Sequence, residues 1–308
     1  MTQDGKAAQN ENTIQNVNPL VDVSIILNIH REWKYLRATL RSLCSCAKNA
    51  CQSGISCELV AVFDRSDKLT RQVFAQTEKE GFARVQQIDV NFGSLGLSRN
   101  AGIANANGKY IWTADGDDLV SKNAIVELHK IASQHEGSDF AVFLQYLVIF
   151  GDDYYVDRYY DSSYLTVADF AYEHPYVSRI FVNRSAFIET KYLDIPLSEG
   201  YAYEDWEFLT RLRYRRFHFF IAPNTVLYYR RRGGSLLSSS NSISAKIIPH
   251  TPLFDPKWFV EELKREKSTI GNWQNFIQMR RSVHKCKPFS EIANTPELFE
   301  DMLQANKI

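Results

Sequence analysis

Hydrophobic positions along this chain alternate between a period of two and a period near 3.6, the pattern of strands followed by helices. The first 20 residues, MTQDGKAAQNENTIQNVNPL, are polar and carry neither period, so residues 1–20 read as a flexible segment. From Val21 the run VDVSIILNI is β-rich, and Leu36, Leu40 and Leu43 then recur at helical spacing between Trp33 and Ala47. CELVAVFD is a second buried strand ending at Asp64, followed by a helix over Leu69 to Glu80 and a shorter strand, VQQIDV. A helix opens after Gly93 and runs through Asn105, and GKYIWTA leads as a strand into Asp115-Gly116-Asp117-Asp118. Alternating strands and helices predict an α/β fold around a mainly parallel sheet. Ligands of such sheets gather beyond the carboxyl ends of the strands, where Asp64 and the Asp115 cluster both fall.

Downstream come the apolar Phe140 to Phe150 run, a tyrosine-rich stretch through Tyr176, a helix opened near Glu204 and a strand over Thr225 to Arg230. A Ser-rich link from about Ser238, a Pro-bounded segment from Pro249 to Pro256 and an amphipathic helix from Trp258 to Lys264 set the tail apart. The expected division is therefore 1–20, a main domain over 21–237 and a C-terminal helical extension over 238–308.

Composition narrows the class. With 44% hydrophobic and 23% charged residues the chain has ordinary globular usage. Lys plus Arg and Asp plus Glu both number 36, so no global field draws in nucleic acid, and no nucleic-acid partner is expected. Phe140 to Phe150 is too short to span a bilayer, and the N-terminus lacks the basic start and apolar core of a secretion signal. The expectation is a cytoplasmic protein, with peripheral association at the inner face of the membrane left open. Cys44, Cys46, Cys51 and Cys57 lack paired C-x-x-C spacing and read as reduced thiols, with Cys44 and Cys51 on one buried helical face.

Three carboxylates within Asp115 to Asp118 repel one another unless a cation or a proton compensates them. Gly116 permits close approach of a phosphate, and hard oxygen ligands favour Mg²⁺ or Mn²⁺. Taken alone, the same four residues read equally well as a solvated acidic turn capping a helix that starts near Lys122. EDWEF, taken alone, reads better as a helix start, where acidic residues suit the macrodipole.

Together the segments resemble the inverting glycosyltransferases of the GT-A fold, specifically the large bacterial family 2, over roughly Val21 to Leu237. VSIILNIHREWKYLRATLRSL looks like the opening strand and helix, ELVAVFDRSD like the second strand, and NFGSLGLSRNAGIANANGKYIWTADGDDLV like the most specific stretch. YEDWEFLTRLRYRRFHFFIAPNTVLYYRRRGGSL resembles the Glu-Asp pair and returning strand. The resemblance implies a Rossmann-like sheet with flanking helices, a nucleotide-sugar donor (a UDP-sugar first) and a saccharide or lipid-linked saccharide acceptor, as in bacterial surface polysaccharide assembly. It implies that Asp64 binds the nucleobase, that Arg99 lies near the nucleotide, and that Asp115 and Asp117 hold the metal and diphosphate. Asp205 is implied as the base, Glu204 as the group that positions donor or acceptor, and Trp206 as a wall of the pocket. Asn28 and His30 stand where the family usually has proline and an aromatic hydroxyl; His30 can still stack on the base. Arg230 to Arg232 replace a frequent histidine and offer positive charge to the leaving group. Two rivals remain: a nucleotidyltransferase, although LNIHREWKY lacks a Gly-rich phosphate loop, and a non-catalytic sugar-binding module.

Overall fold

The computed structural model describes residues 20–152, 154–177, 179–195, 197–233 and 247–270. Its centre is a nine-stranded sheet. The first strand, β1 (Val21–Ile29), is apolar and buried on both faces, as a central parallel strand must be. On one side it pairs in parallel with β2 (Cys57–Asp64), which in turn pairs with β3 (Arg84–Val90); on the other it pairs in parallel with β4 (Gly108–Asp115). Helices α1 (Leu36–Gln52), α2 (Lys68–Gln76) and α3 (Leu95–Ala104) fill the three crossovers. Asp67 starts α2 by accepting the Thr70 N–H at 2.7 Å, which supplies a partner to a donor the helix leaves free. Gly102 lets α3 lie against Ile26 and Val62, since a Cβ there would collide with both.

The second half is mixed. It contains β5 (Leu119–Val120), α4 (Ala124–Gln134), β6 (Phe140–Gly151), β7 (Tyr155–Arg158), α5 (Val167–Tyr172), β8 (Phe181–Asn183) and α6 (Arg184–Glu189). It ends in α7 (Glu204–Tyr214), β9 (His218–Arg231) and α8 (Pro256–Thr269). The sheet order is β3-β2-β1-β4-β8-β6-β9-β5, with β7 beside β6. Because β8 is antiparallel to both β4 and β6, those two strands run the same way, and the sheet is mainly parallel as expected.

One face of the sheet packs Val23, Ile25 and Leu27 against Leu36, Leu40 and Leu43 of α1 and Ile125 and Leu128 of α4. The other packs Ile26, Val60 and Val62 against Ile103 of α3, Phe170 of α5, Phe187 of α6 and Phe208 and Leu212 of α7. The tail joins this second layer: Trp258, Phe259 and Leu263 of α8 pack on it, and Leu253 is fully buried in it.

Several expectations need correction. Residue 51 is exposed near the end of α1 while Cys44 is buried, so the two thiols do not share a buried face. The strand expected over Thr225 to Arg230 begins at His218, because a register shift at Gln145 absorbs the turn-forming Pro223 and Asn224. Gln145 Oε1 accepts the Asn224 N–H at 2.8 Å, and Thr225 Oγ1 accepts the Gln145 N–H at 3.0 Å. Arg213 is buried and paired with Glu262 and Glu266 of α8. The Ser-rich link from Ser238 lies outside the described residues.

Candidate active site

The parallel register aligns three polar residues at the carboxyl ends of neighbouring strands. Asn28 of β1 sits opposite Asp115 of β4, and Asp64 closes β2. In front of them opens a cleft of about 780 Å³ lined by Asn28, His30, Asp64, Asp115, Asp117, Glu204 and Asp205. Residues from both halves of the sequence therefore face one space.

The end of the site at β2 is tightly organised. Asp64 accepts the Gly93 N–H at 2.8 Å, the Ser94 N–H at 3.2 Å and the Ser98 hydroxyl at 2.8 Å, so its carboxylate ties down the start of α3. Gly93 has φ +66°, and a side chain there would run into the Arg65 guanidinium. His30 Nδ1 lies 2.6 Å from the Asp64 carbonyl. A carbonyl only accepts, so Nδ1 carries the hydrogen and Nε2 remains the outward nitrogen. Asn28 is nearly buried, and its Oδ1 has no hydrogen-bond partner.

Arginines already compensate part of the charge of the acidic loop. Arg179 reaches Asp115 at 2.7 Å and also pairs with Asp118, and Arg232 Nε donates to Asp117 at 2.9 Å. Burial pushes the Asp118 carboxyl above the ordinary range, opposed by the charge of Arg179. Glu32, also buried, accepts the His30 N–H at 2.6 Å and faces Arg232 at 3.3 Å. Burial raises its carboxyl, and the charge of Asp117 adds to that. Two hard-oxygen groups nevertheless face the cleft: Asp115, whose Oδ1 is buried without a hydrogen-bond partner, and Asp117. Among the described residues no three ligand-type side chains cluster as a complete metal site. Two carboxylates with phosphate oxygens and water completing the shell is a common arrangement for Mg²⁺, and the donor chemistry here fits it.

The Glu204-Asp205 pair opens α7. Tyr203, just before it, holds a left-handed backbone with φ 62°, a conformation that residues other than glycine or asparagine seldom adopt. Asp205 Oδ1 accepts the N–H of Trp206 at 2.9 Å, which leaves Oδ2 toward the cleft, 3.6 Å from His174 Nε2. Burial lifts the Glu204 carboxyl to about 7; Asp205 adds to this and Arg99 opposes it.

Arg99 and Trp206 do not line the cleft; they brace it. Arg99 is wholly buried, donates to Glu204 at 2.9 Å and stands 3.5 Å from Asp115, linking the start of α7 to the acidic loop. Trp206 donates through Nε1 to the Phe170 carbonyl at 2.7 Å and so anchors α7 on α5. The tyrosine-rich stretch splits: Tyr155, Tyr159 and Tyr160 line the cleft, whereas Tyr154 and Tyr172 are exposed away from it. Glu32, His174 and Arg179 were not legible as site residues. Glu32 lies within the opening segment but at a position that no spacing marks, and His174 and Arg179 stand outside any spaced motif.

A mainly parallel sheet with a nucleotide-sized cleft at its strand ends and an acidic loop facing a Glu-Asp helix start defines a GT-A type glycosyltransferase domain. The chain belongs to glycosyl transferase family 2, whose family model matches residues 24–194, more than half of the 308. It is similar to the glycosyltransferase GlyG of Streptococcus pneumoniae serotype 4, with 23% identity over 72% of this chain and 75% of that protein. It is also similar to the poly(ribitol-phosphate) beta-N-acetylglucosaminyltransferase TarP of Staphylococcus aureus, 23% identical over 37% of this chain and 33% of that protein. A crystal structure of S. aureus TarS 1–349 in complex with UDP-GlcNAc shares the fold, with a TM-score of 0.54 and 19% identity over 71% of this chain and 61% of that one. The chain thus spans three quarters of GlyG but only a third of TarP.

Proposed function

We propose that this protein transfers a sugar, with inversion, from a nucleotide-diphosphate sugar to a hydroxyl of a saccharide or glycolipid. One observation carries the reading: Asp205, Asp64 and the Asp115-Asp117 pair line the same cleft, with Arg99 joining Asp115 to Glu204 beside Asp205. A UDP-sugar is the first donor to try, since TarS was crystallised with UDP-GlcNAc. The poly(ribitol-phosphate) in the names of TarP and TarS supports a hydroxyl-rich polymer of a bacterial surface as the acceptor class. Such an acceptor would be met in the cytoplasm or at the inner face of its membrane; no helix among the described residues is long and apolar enough to span one.

In this mechanism the nucleotide lies across the ends of β1, β2 and β4. His30 stacks on the base and Asn28 offers its unpartnered oxygen. Asp64 acts on the base edge, through the loop it orders, while Arg99 holds the acidic loop beside α7. Asp205 Oδ2 takes the acceptor hydroxyl proton as that oxygen attacks the anomeric carbon and the bond to the diphosphate breaks. Attack from the face opposite the leaving group inverts the centre, and one base suffices. Glu204, its carboxyl raised by burial, positions a sugar hydroxyl, and Trp206 keeps the helix start in place. Asp115 and Asp117 would hold Mn²⁺ or Mg²⁺, which when bound supplies positive charge to the diphosphate. Arg232 and Arg179 contribute fixed positive charge beside it.

Ligand-linked unfolding tests the donor site. UDP-GlcNAc at 100 times its Kd adds about 2.7 kcal/mol of stability, and Mn²⁺ should enlarge the thermal shift in the wild type but not in Asp117→Asn. A panel of UDP, GDP, dTDP and CMP sugars that produces no shift, with or without Mn²⁺, contradicts the proposal.

A further inference from the structure

His174 lies in the cleft wall after α5, and the mechanism above does not use it. Its Nε2 is buried, has no hydrogen-bond partner and stands 3.6 Å from Asp205 Oδ2, the oxygen that the Trp206 N–H leaves unengaged. The ring is held side-on by Trp206, nearly parallel at 17° with centroids 6.2 Å apart, and Tyr203 flanks it. Trp206 is itself fixed on the Phe170 carbonyl. A buried nitrogen aimed at a carboxylate from just beyond bonding range is a contact set to tighten when substrate seals the cleft, because catalytic hydrogen bonds are often long before substrate binds.

We propose that His174 is a positioning residue for the base: Nε2–H closes on one lone pair of Asp205 Oδ2 and aims the other at the acceptor hydroxyl. A carboxylate only accepts, so the ring must carry its hydrogen on Nε2. The charged groups facing the ring are Asp205 from α7, which favours the imidazolium, and Arg99 from α3, which disfavours it. Burial, with Arg99 acting in the same direction, outweighs Asp205 and holds the ring below its ordinary value, neutral at neutral pH. A neutral donor orients Oδ2 without neutralising it, which leaves the carboxylate able to take a proton. The inference rests on Asp205 being the base.

Three variants and one spectrum decide it. His174→Phe keeps an aromatic ring against Trp206 but removes the donor, and His174→Gln returns an N–H close to the place of Nε2. In UDP-GlcNAc turnover followed by UDP release, His174→Phe should lose about 10- to 100-fold in kcat, as misplaced catalytic groups do, with KM for the donor within twofold. His174→Gln should recover part of that loss. A merely structural ring would lose nothing in the Phe variant, and kcat within twofold of wild type there overturns the proposal. Asp205→Asn separates the two ideas: full turnover in it removes the base and this inference together, whereas an inactive Asp205→Asn beside a fully active His174→Phe removes the inference alone. Independently of turnover, the His174 ring followed by NMR must titrate at lower pH in Asp205→Asn, since a favourable charge is gone; an unchanged midpoint contradicts the contact.

Discussion

At the scale of single residues, the acidic loop is where charge decides most. Asp118 is 4% exposed and depends on Arg179, which also serves Asp115. Arg179→Met would leave a buried carboxylate without its cation, and breaking a buried pair in this way costs about 3–5 kcal/mol. Urea unfolding at pH 8 should show that loss. At pH 5 it should be smaller, because Asp118, already raised by burial, then takes up a proton and sheds the charge. Asp64, Asp115 and Asp117 could be read as candidates from their place at strand ends, whereas the Glu204-Asp205 pair, which alone reads as a helix start, entered through the family resemblance. Arg179 was not legible, since nothing around it in sequence marks it; only the turn into β8 carries it to Asp118. That Arg179 compensates the carboxylate cluster was hidden for the same reason: it comes from a residue distant in the chain.

Among the secondary-structure elements, the parallel half was readable because β1, β2 and β4 are buried on both faces and separated by amphipathic helices. The antiparallel insertions were harder. β8 is three residues long, too short for any period, and β9 hides Pro223 and Asn224 within a strand. The attachment of α8 was invisible for a related reason, since its polar stripe is a buried one. Arg213 of α7 meets Glu262 and Glu266, and Arg265 bonds Glu262 as well. Burial raises the Glu262 carboxyl, but the bonds from Arg265 and the charge of Arg213 outweigh it and hold the group at about 2, below its ordinary 4.5. A carboxyl lowered by folding contributes stability above its unfolded value and loses it as pH falls toward the folded one. Helix α8 should therefore loosen from α7 between about pH 4.5 and 2. Glu266, raised by burial, works in the opposite sense and offsets part of the loss. Trp258, 4.7 Å from Tyr214 across that junction, reports it: its emission should shift red over this pH range before global unfolding. In Arg213→Met the shift should begin at higher pH, and an identical profile would remove the pair from the account of the junction.

For the whole molecule, the fold places two distant stretches of chain around one cleft, and Arg99 ties them from behind by reaching both Glu204 and Asp115. Catalysis by a base at the start of α7 makes the most direct demand on this arrangement. The deciding measurement is steady-state release of UDP from UDP-GlcNAc by wild type and by Asp205→Asn, with folding of the variant checked by its thermal shift with donor. A general base contributes about 10²- to 10⁴-fold. Asp205→Asn should lose kcat in that range and keep its donor KM within a few fold, whereas unchanged turnover would contradict Asp205 as the base.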